Sequence, residues 1–448
     1  MLNKRKVRLL IYIASIMMTS FALGGCSKIQ AKKTDNKTEP ADVIAKTEEV
    51  MTNTAALDFA KKQVLKTSTY TTTKALPRYI GPKGTWVSKS IPTDWTNGFY
   101  PAQLWRLYDY SKDTNLKTLA EKYTVAMDGW KSKTTTHDVG FSIMNSYGLG
   151  YKLTANTAYK PVIMTAADSL ASRFDPIVGC TRSWTWTPPN PNASFFTYPV
   201  IMDNMMNLEL LFYASKISGD PKYKDMAISH ALKTSQNAFR PDGSTYHVID
   251  YDPTTGNVLQ KKTWQGYSDE STWSRGQAWA IYGFTAAYRY TNDQRFLDTA
   301  IKAANYYIDN CPDDYVPLWD FNTAPTLTLA NGTVVDLKKK DSSAAAIANS
   351  GLIELMSYVT DSKLKAKYET VINTSYKHLL SSEYLAKGTE NDSILLHCVG
   401  NFPSYLSKGS NLEAAEVDVS LSYGDYFFVE GLMRLDAYNK GTLSSQLF

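Results

Sequence analysis

The sequence predicts an all-α fold, an (α/α)6 toroid of six helical hairpins with small β-hairpins in its rim loops. Two regularities lead there. Apolar residues recur at helical spacing in paired segments along the chain, and the turns inside the pairs are alike. Those turns are Ser111 to Asn115, Thr154 to Thr157, Ser218 to Pro221, Thr291 to Gln294 and Thr360 to Lys363. Each offers Ser, Thr or Asp to cap the next helix, and Leu, Tyr or Phe resumes the pattern within a few residues. With 448 residues, 43% of them apolar, the chain can bury a large core, which excludes disordered and fibrous classes.

At the amino end, Lys4, Arg5, Lys6 and Arg8 precede an apolar run from Leu9 to Leu23 that is short for a bilayer span. Residues 1–25 therefore read as an export signal, and Leu23-Gly24-Gly25-Cys26 is similar to the lipobox of bacterial lipoproteins, with Cys26 the acylated residue. A cleaved secretory signal with an incidental cysteine is the alternative. Residues 26–42 read as a flexible tether and 43–448 as one domain. This places the protein as an exported, membrane-anchored lipoprotein that meets the membrane only through its lipid.

Hairpins follow at 99–130, 140–174, 203–239, 274–310 and 342–382. A helix near 43–66 and another near 424–438 supply the sixth pair if the array closes into a ring, with an open solenoid as the alternative. The long connections at 175–202, 240–273, 311–341 and 383–423 are where site residues are expected to gather. Within them, Tyr246 to Tyr251 and Thr333 to Leu337 read as small β-hairpins.

The formal net charge is +5, but four of the positives lie in the signal, leaving a nearly balanced surface. Such a surface has no field for a phosphate backbone, so nucleic acid is excluded as a partner. Thirty Tyr and ten Trp suit a groove for ring-shaped polar ligands. HExxH, GxxxxGK[ST], GxSxG and CxxC patterns are absent from the sequence, and neither a metal nor a cofactor is implied. Cys180, Cys311 and Cys398 read as mostly buried thiols.

Carboxylates are more informative. His137-Asp138 and Asp203-Asn204 each stand just ahead of a hairpin's first helix. Asp138 and Asp203 read either as helix N-caps or as a catalytic pair, because equivalent helix starts in a toroid face one well. Two acids there can divide labour, one keeping a proton while the other stays charged. Arg275 and Trp279, four apart on one helical face, read as a grip for a sugar carboxylate or as a structural pair. His247 in a strand-like run has a structural reading too. Trp184 and Trp186 share a strand face and either line the well or pack.

Taken together, these segments resemble the unsaturated glucuronyl hydrolases of glycoside hydrolase family 88. The resemblance rests on His137 to Phe141, Arg182-Ser183-Trp184, Ile201 to Leu208, Tyr246-His247, Gln265-Gly266-Tyr267, Trp273 to Trp279 and Ser422 to Phe427. It implies an (α/α)6 barrel and removal of 4,5-unsaturated uronic acid from oligosaccharides made by polysaccharide lyases. The chemistry implied is hydration of a vinyl ether: an acid protonates C4, and water adds at C5. By resemblance Asp203 is the acid/base and Asp138 the second aspartate, which stabilises positive charge and holds the proton of Asp203. His137, His247, Gln265, Arg275 and Trp279 are implied sugar contacts, with Trp184 as a stacking platform and Trp95 a further contact.

Two stretches depart from the family pattern. Thr185 to Tyr198, with Pro188, Pro189 and Pro191, looks lengthened, and Phe402 to Ala414 looks inserted. Lys408 with Ser404, Ser407 and Ser410 is a candidate sulfate contact or a solvated loop. The rival readings are an unsaturated rhamnogalacturonyl hydrolase acting on pectin fragments and a non-catalytic lipoprotein that captures oligosaccharides.

Overall fold

The computed structural model describes residues 50–81, 84–185, 196–329, 331–408 and 416–448. The chain divides into two units, Met1–Thr47 and Glu48–Phe448, and every described residue belongs to the second. The predicted signal, the tether and Cys26 therefore lie outside the described residues, as do Trp186, Pro188, Pro189, Pro191 and Ser410 and the side chains of Ser407 and Lys408.

Fourteen α-helices are described: α1 (Asn53–Ser68), α2 (Phe99–Ser111), α3 (Thr114–Ala126), α4 (Val139–Ile143), α5 (Leu149–Thr154), α6 (Tyr159–Ala171), α7 (Asn204–Ser218), α8 (Pro221–Asn237), α9 (Ser274–Thr291), α10 (Gln294–Asn310), α11 (Ser342–Tyr358), α12 (Ser362–Leu379), α13 (Phe402–Lys408) and α14 (Ser422–Asn439). The five predicted hairpins are present, and a π-turn at Met144–Gly148 joins α4 to α5 as one rod. The amino-terminal helix begins at Asn53, not near 43, because the Thr52 hydroxyl caps it by accepting from the amide of Ala55 at 3.2 Å.

Packing decides between ring and solenoid. In succession α2, α4 with α5, α7, α9, α11 and α14 touch, and α14 packs back on α2, so the ring closes, with α1 against α14 as the sixth pair. These inner helices are buried all round, α11 from Ser342 to Met356 without a break. The outer helices bury one stripe only, such as Phe296, Leu297, Ala300, Ala303, Ala304 and Tyr307 of α10. Four outer helices start at Asp113, Asp220, Asp293 and Asp361, each in extended backbone with its carboxylate accepting from an amide two residues on, as the turns predicted.

Backbones in the inner ring approach closely. A Cβ on Gly283 of α9 would lie 2.5 Å from Cβ of Met205 on α7, so only glycine permits that crossing. Deeper in the ring, the inner helices carry a set of buried ion pairs. Arg106 meets Glu430, Arg289 meets Glu209 and Glu354, and Arg434 meets Glu354 and Glu430. Three arginines face three glutamates, so each of these buried charges has an opposite one beside it.

Eleven short strands line the rim: β1 (Ala75–Ile80), β2 (Trp86–Ser90), β3 (Phe174–Asp175), β4 (Cys180–Thr181), β5 (Pro199–Ile201), β6 (Val248–Tyr251), β7 (Val258–Lys262), β8 (Thr326–Thr328), β9 (Val334–Asp336), β10 (Cys398–Val399) and β11 (Val417–Leu421). The expected hairpins appear as β6 with β7 and β8 with β9, and β5 adds to the first. Sequence reading missed the sheet ordered β10-β11-β1-β2, because β1 and β11 pair across almost the whole chain, Tyr79 opposite Leu421. The free thiols Cys180 and Cys398 are buried and Cys311 is half-buried.

Gly283→Ala is expected to lower unfolding stability by about 1–3 kcal/mol through overpacking of α9 on α7. Urea denaturation followed by circular dichroism measures it, and an unchanged midpoint would contradict the packing described.

Candidate active site

The inner helices all begin at one end of the ring, where residues around Trp95, Asp138, Asp203, Trp273, Asp341 and Leu421 converge. Their amino ends together favour negative charge in the well. Asp138 and Asp203 occupy the cap positions of α4 and α7 without capping them. Both have helical backbone angles, φ −64° and −56°, so their side chains are not turned back onto the first amides as an extended N-cap would be. The N-cap reading thus fails for both.

A single side chain sets these two starts against each other. Asn207 of α7 accepts from the amide of Phe141 at 2.7 Å and donates to the carbonyl of Asp203 at 3.1 Å. Gly140 makes room, since a Cβ there would lie 2.6 Å from Oδ1 of Asn207. The loop bearing Asp138 is held from its other side. His137 donates its amide to Ser183 and Thr185 donates to Thr135, while Arg173 binds the carbonyls of Thr134 and Arg182. Asp203 follows β5, whose pairing with β6 brings His247 behind it.

Between the two acids lies a chamber of about 180 Å³, walled by Trp95, Trp184, Trp264, Gln265, Ile201, Thr136 and His137. Trp184 and Trp264 face it with ring centroids 6.3 Å apart and planes at 44°. A second chamber of about 190 Å³ shares Trp95, Trp264 and Gln265 and adds Arg78, Arg275, Asn401, Glu416 and Tyr423.

The aspartates differ electrically. Burial pushes the Asp138 carboxyl up to about 7, helped by the nearby charge of Asp203, although the Thr136 hydroxyl donates to it at 2.6 Å. Burial also opposes ionisation of Asp203, but His247 and the charge of Arg275 outweigh it and hold Asp203 below its ordinary value. Nδ1 of His247 accepts from the amides of Trp264 and Gln265 at 3.1 and 3.2 Å, so the tautomer carries its proton on Nε2. That nitrogen stands 3.5 Å from Oδ2 of Asp203, long for a hydrogen bond and suited to tighten when a ligand closes the site. His137, pushed down to about 3 by burial, is a neutral imidazole 3.4 Å from Asp138.

One carboxyl that keeps a proton beside one that is charged, between aromatic walls, is the equipment of glycoside chemistry. Residues 73–399 match the model of Glycosyl Hydrolase Family 88. The chain belongs to that family. It is 42% identical over 353 residues to an unsaturated glucuronyl hydrolase of Formosa agariphila, covering 78% of this chain and 81% of that one. An unsaturated chondroitin disaccharide hydrolase of Streptococcus pneumoniae is 31% identical, over 76% and 82%. Among solved structures, an unsaturated glucuronyl hydrolase specific for heparin superposes with a TM-score of 0.77 at 37% identity, over 87% and 98%.

Most of the residues expected in this family 88 glycosidase's site meet there: Trp95, His137, Asp138, Trp184, Asp203, Gln265 and Arg275 all line the two chambers. Two expectations need correction. Trp279 is fully buried beneath the floor, packed on Phe141 and Phe427, so the planar partners of Arg275 are Trp273 and Tyr423 instead. His247 is buried behind Asp203 and acts on that carboxylate, not as part of the chamber wall. Arg275 itself is committed in part, donating to the carbonyls of Val399 and Gly400 and lying 3.6 Å from Asp341, while its buried Nε has no partner among the described residues. Arg78, Trp264, Thr136, Asn207 and Glu416 were missed. Arg78 had one signal, a lone cation in the otherwise apolar and aromatic run from Ala75 to Ile80; it pairs with Glu416 and Asp94.

The raised Asp138 carboxyl makes a pH-dependent prediction. A carboxyl that folding moves from its ordinary value to about 7 is a growing liability as pH rises between those limits, constant above them. Asp138→Asn is therefore expected to be more stabilising relative to wild type at pH 8 than at pH 4.5, as measured by denaturant unfolding at both. A difference independent of pH would show that folding does not raise this carboxyl.

Proposed function

We propose that the protein removes 4,5-unsaturated glucuronic acid from the non-reducing end of lyase-made glycosaminoglycan oligosaccharides by hydrating the C4=C5 bond. The observation that carries this is the asymmetric Asp138 and Asp203 pair, flanked on one side by a chamber that Arg275 and Arg78 line. The names of relatives acting on chondroitin disaccharides and heparin support the substrate class.

In the empty site the shared proton rests on Asp138. Entry of the substrate carboxylate into the arginine chamber brings a negative charge towards Asp203, raises its affinity for that proton and draws it across. Asp203 then gives the proton to C4, and ionised Asp138 steadies the positive charge that develops at C5 and the ring oxygen. Water adds to C5 as Asp203 takes back a proton, which returns the pair to its starting charge. The hemiketal at C5 opens to a ketone, and the anomeric carbon expels the remaining sugar as an alcohol. Two divided carboxyls explain this chemistry, whereas mere capture of sugars leaves them without a purpose, and neither relative is named for pectin fragments.

Unsaturated chondroitin or hyaluronan disaccharides are expected to lose the ultraviolet absorbance of their conjugated double bond with this protein. Asp203→Asn should cut that rate by about 10²- to 10⁴-fold while disaccharide binding persists. A wild type that binds a panel of lyase products yet never bleaches them would establish capture instead.

We propose also that the enzyme is exported and lipid-anchored through Cys26, on the strength of the basic, apolar and Leu23-Gly24-Gly25-Cys26 succession. Cys26→Ser should move the protein from the membrane to the soluble fraction on cell fractionation; retention at the membrane would refute the anchor.

A further inference from the structure

Arg78 reaches the arginine chamber from β1 with its charge already answered. Its Nε and Nη2 donate to the two carboxylate oxygens of Glu416, the second at 2.9 Å, and its Nη1 binds Asp94. One guanidinium thus faces two carboxylates, and neither acid has another cation beside it among the described residues. A bidentate pair of this kind fixes direction as well as charge. Arg275 differs: its nearest acid, Asp341, stands 3.6 Å away, and its Nε is without a partner among the described residues.

Each acid on Arg78 is tied to a wall of the chamber. Asp94 accepts from the amide and hydroxyl of Thr96 at 3.0 and 2.7 Å and so sets the three-ten turn Trp95–Gly98, which carries Trp95. Glu416 lies on Gly400. The Gly400 amide donates to the Glu416 carbonyl at 2.6 Å, and a Cβ on Gly400 would come 2.5 Å from Cβ of Glu416. The Gly400 carbonyl in turn accepts from Nη2 of Arg275 at 2.8 Å and from Gln265 at 3.4 Å. Glu416 keeps this place at a φ of +56°, a left-handed backbone that is strained for a residue with a Cβ and persists only where its surroundings fix it. Contacts therefore run without a break from Trp95 through Asp94, Arg78, Glu416 and Gly400 to Arg275.

We propose that Arg78 is a positioning residue and not a receptor for the substrate: with Asp94 and Glu416 it clamps Trp95 and the Gly400 carbonyl, and so aims Arg275, which takes the uronate carboxylate. The proposal rests on the reading of the site as a glucuronyl hydrolase and names which of its two arginines does the binding. One consequence runs against simple electrostatics. Glu416, an anion in a chamber for an anion, favours substrate binding.

Steady-state bleaching of unsulfated chondroitin disaccharide tests it, with wild type, Arg78→Met, Glu416→Gln, Arg275→Lys and the two double variants that contain Arg275→Lys. Glu416→Gln and Arg78→Met are each expected to raise KM about fivefold with kcat kept within about twofold, as for lost binding shared by ground and transition states. In the Arg275→Lys background either change should add less than about twofold, because coupled residues are not additive. Glu416→Gln keeps the shape of the side chain and carries the test alone if Arg78→Met does not fold. A lower KM in Glu416→Gln would show that Glu416 masks Arg78 as the anion receptor, and would overturn the proposal. So would an unchanged KM, a loss confined to kcat, or effects that multiply in full with Arg275→Lys. Wild type that never bleaches the disaccharide would instead bring down the reading of the reaction itself.

Discussion

The reaction chamber depends on how closely α4 lies against α7. Gly140 has no side chain to hold the helices apart, and Asn207 fills the junction by bonding to both backbones. Since Asp138 and Asp203 begin those two helices, a shift of one on the other would change the separation of the carboxyls directly. Ångström-scale positioning of reacting groups is worth orders of magnitude in rate, which is why the acids sit on packed helix starts and not on free loops. Their helical backbone angles matter equally. An extended backbone would have spent each carboxylate on its own helix, as at the outer turns.

The two ends of the ring solve opposite electrostatic problems. Around Glu430 and Arg434, each buried charge meets an opposite one, and Glu430 is held down to about 2 by its arginines against the cost of its burial. These charges compensate one another, which offsets the cost of burying them. At the well, pairing is left incomplete: Oδ2 of Asp203 and Nε2 of His247 are buried, and neither has a hydrogen-bond partner among the described residues. Unspent interactions of that kind cost stability in the empty enzyme and are available to a ligand. What separates the two aspartates is then their neighbours, since burial raises both while only Asp203 has His247 at its back.

The two chambers share one wall. Arg78 and Arg275 line one chamber and the two aspartates line the other, with Trp95, Trp264 and Gln265 common to both. Aromatic rings at Trp95, Trp184 and Trp264 bound the path, giving flat surfaces that suit sugar rings without demanding one substituent pattern. The rim strands serve this arrangement by carrying residues from remote parts of the chain to it: Arg78 on β1, and Glu416 beside β11, meet as an ion pair at the edge of the arginine chamber.

Local pattern alone determined the five hairpins, their Asp-capped outer helices and the two carboxylates ahead of inner helices, because helical periodicity and capping are written within a few residues of one another. The family motifs added most of the chamber lining in the same way. Only the tertiary structure decided ring closure, the β10-β11-β1-β2 sheet and the arrival of Arg78 and Glu416, since each joins segments hundreds of residues apart. It also decided that Trp279 supports the floor, that His247 backs Asp203 and that the resting proton favours Asp138. Burial depth and the identity of a side chain's neighbours set those outcomes, and neither is a property of the sequence positions taken one by one.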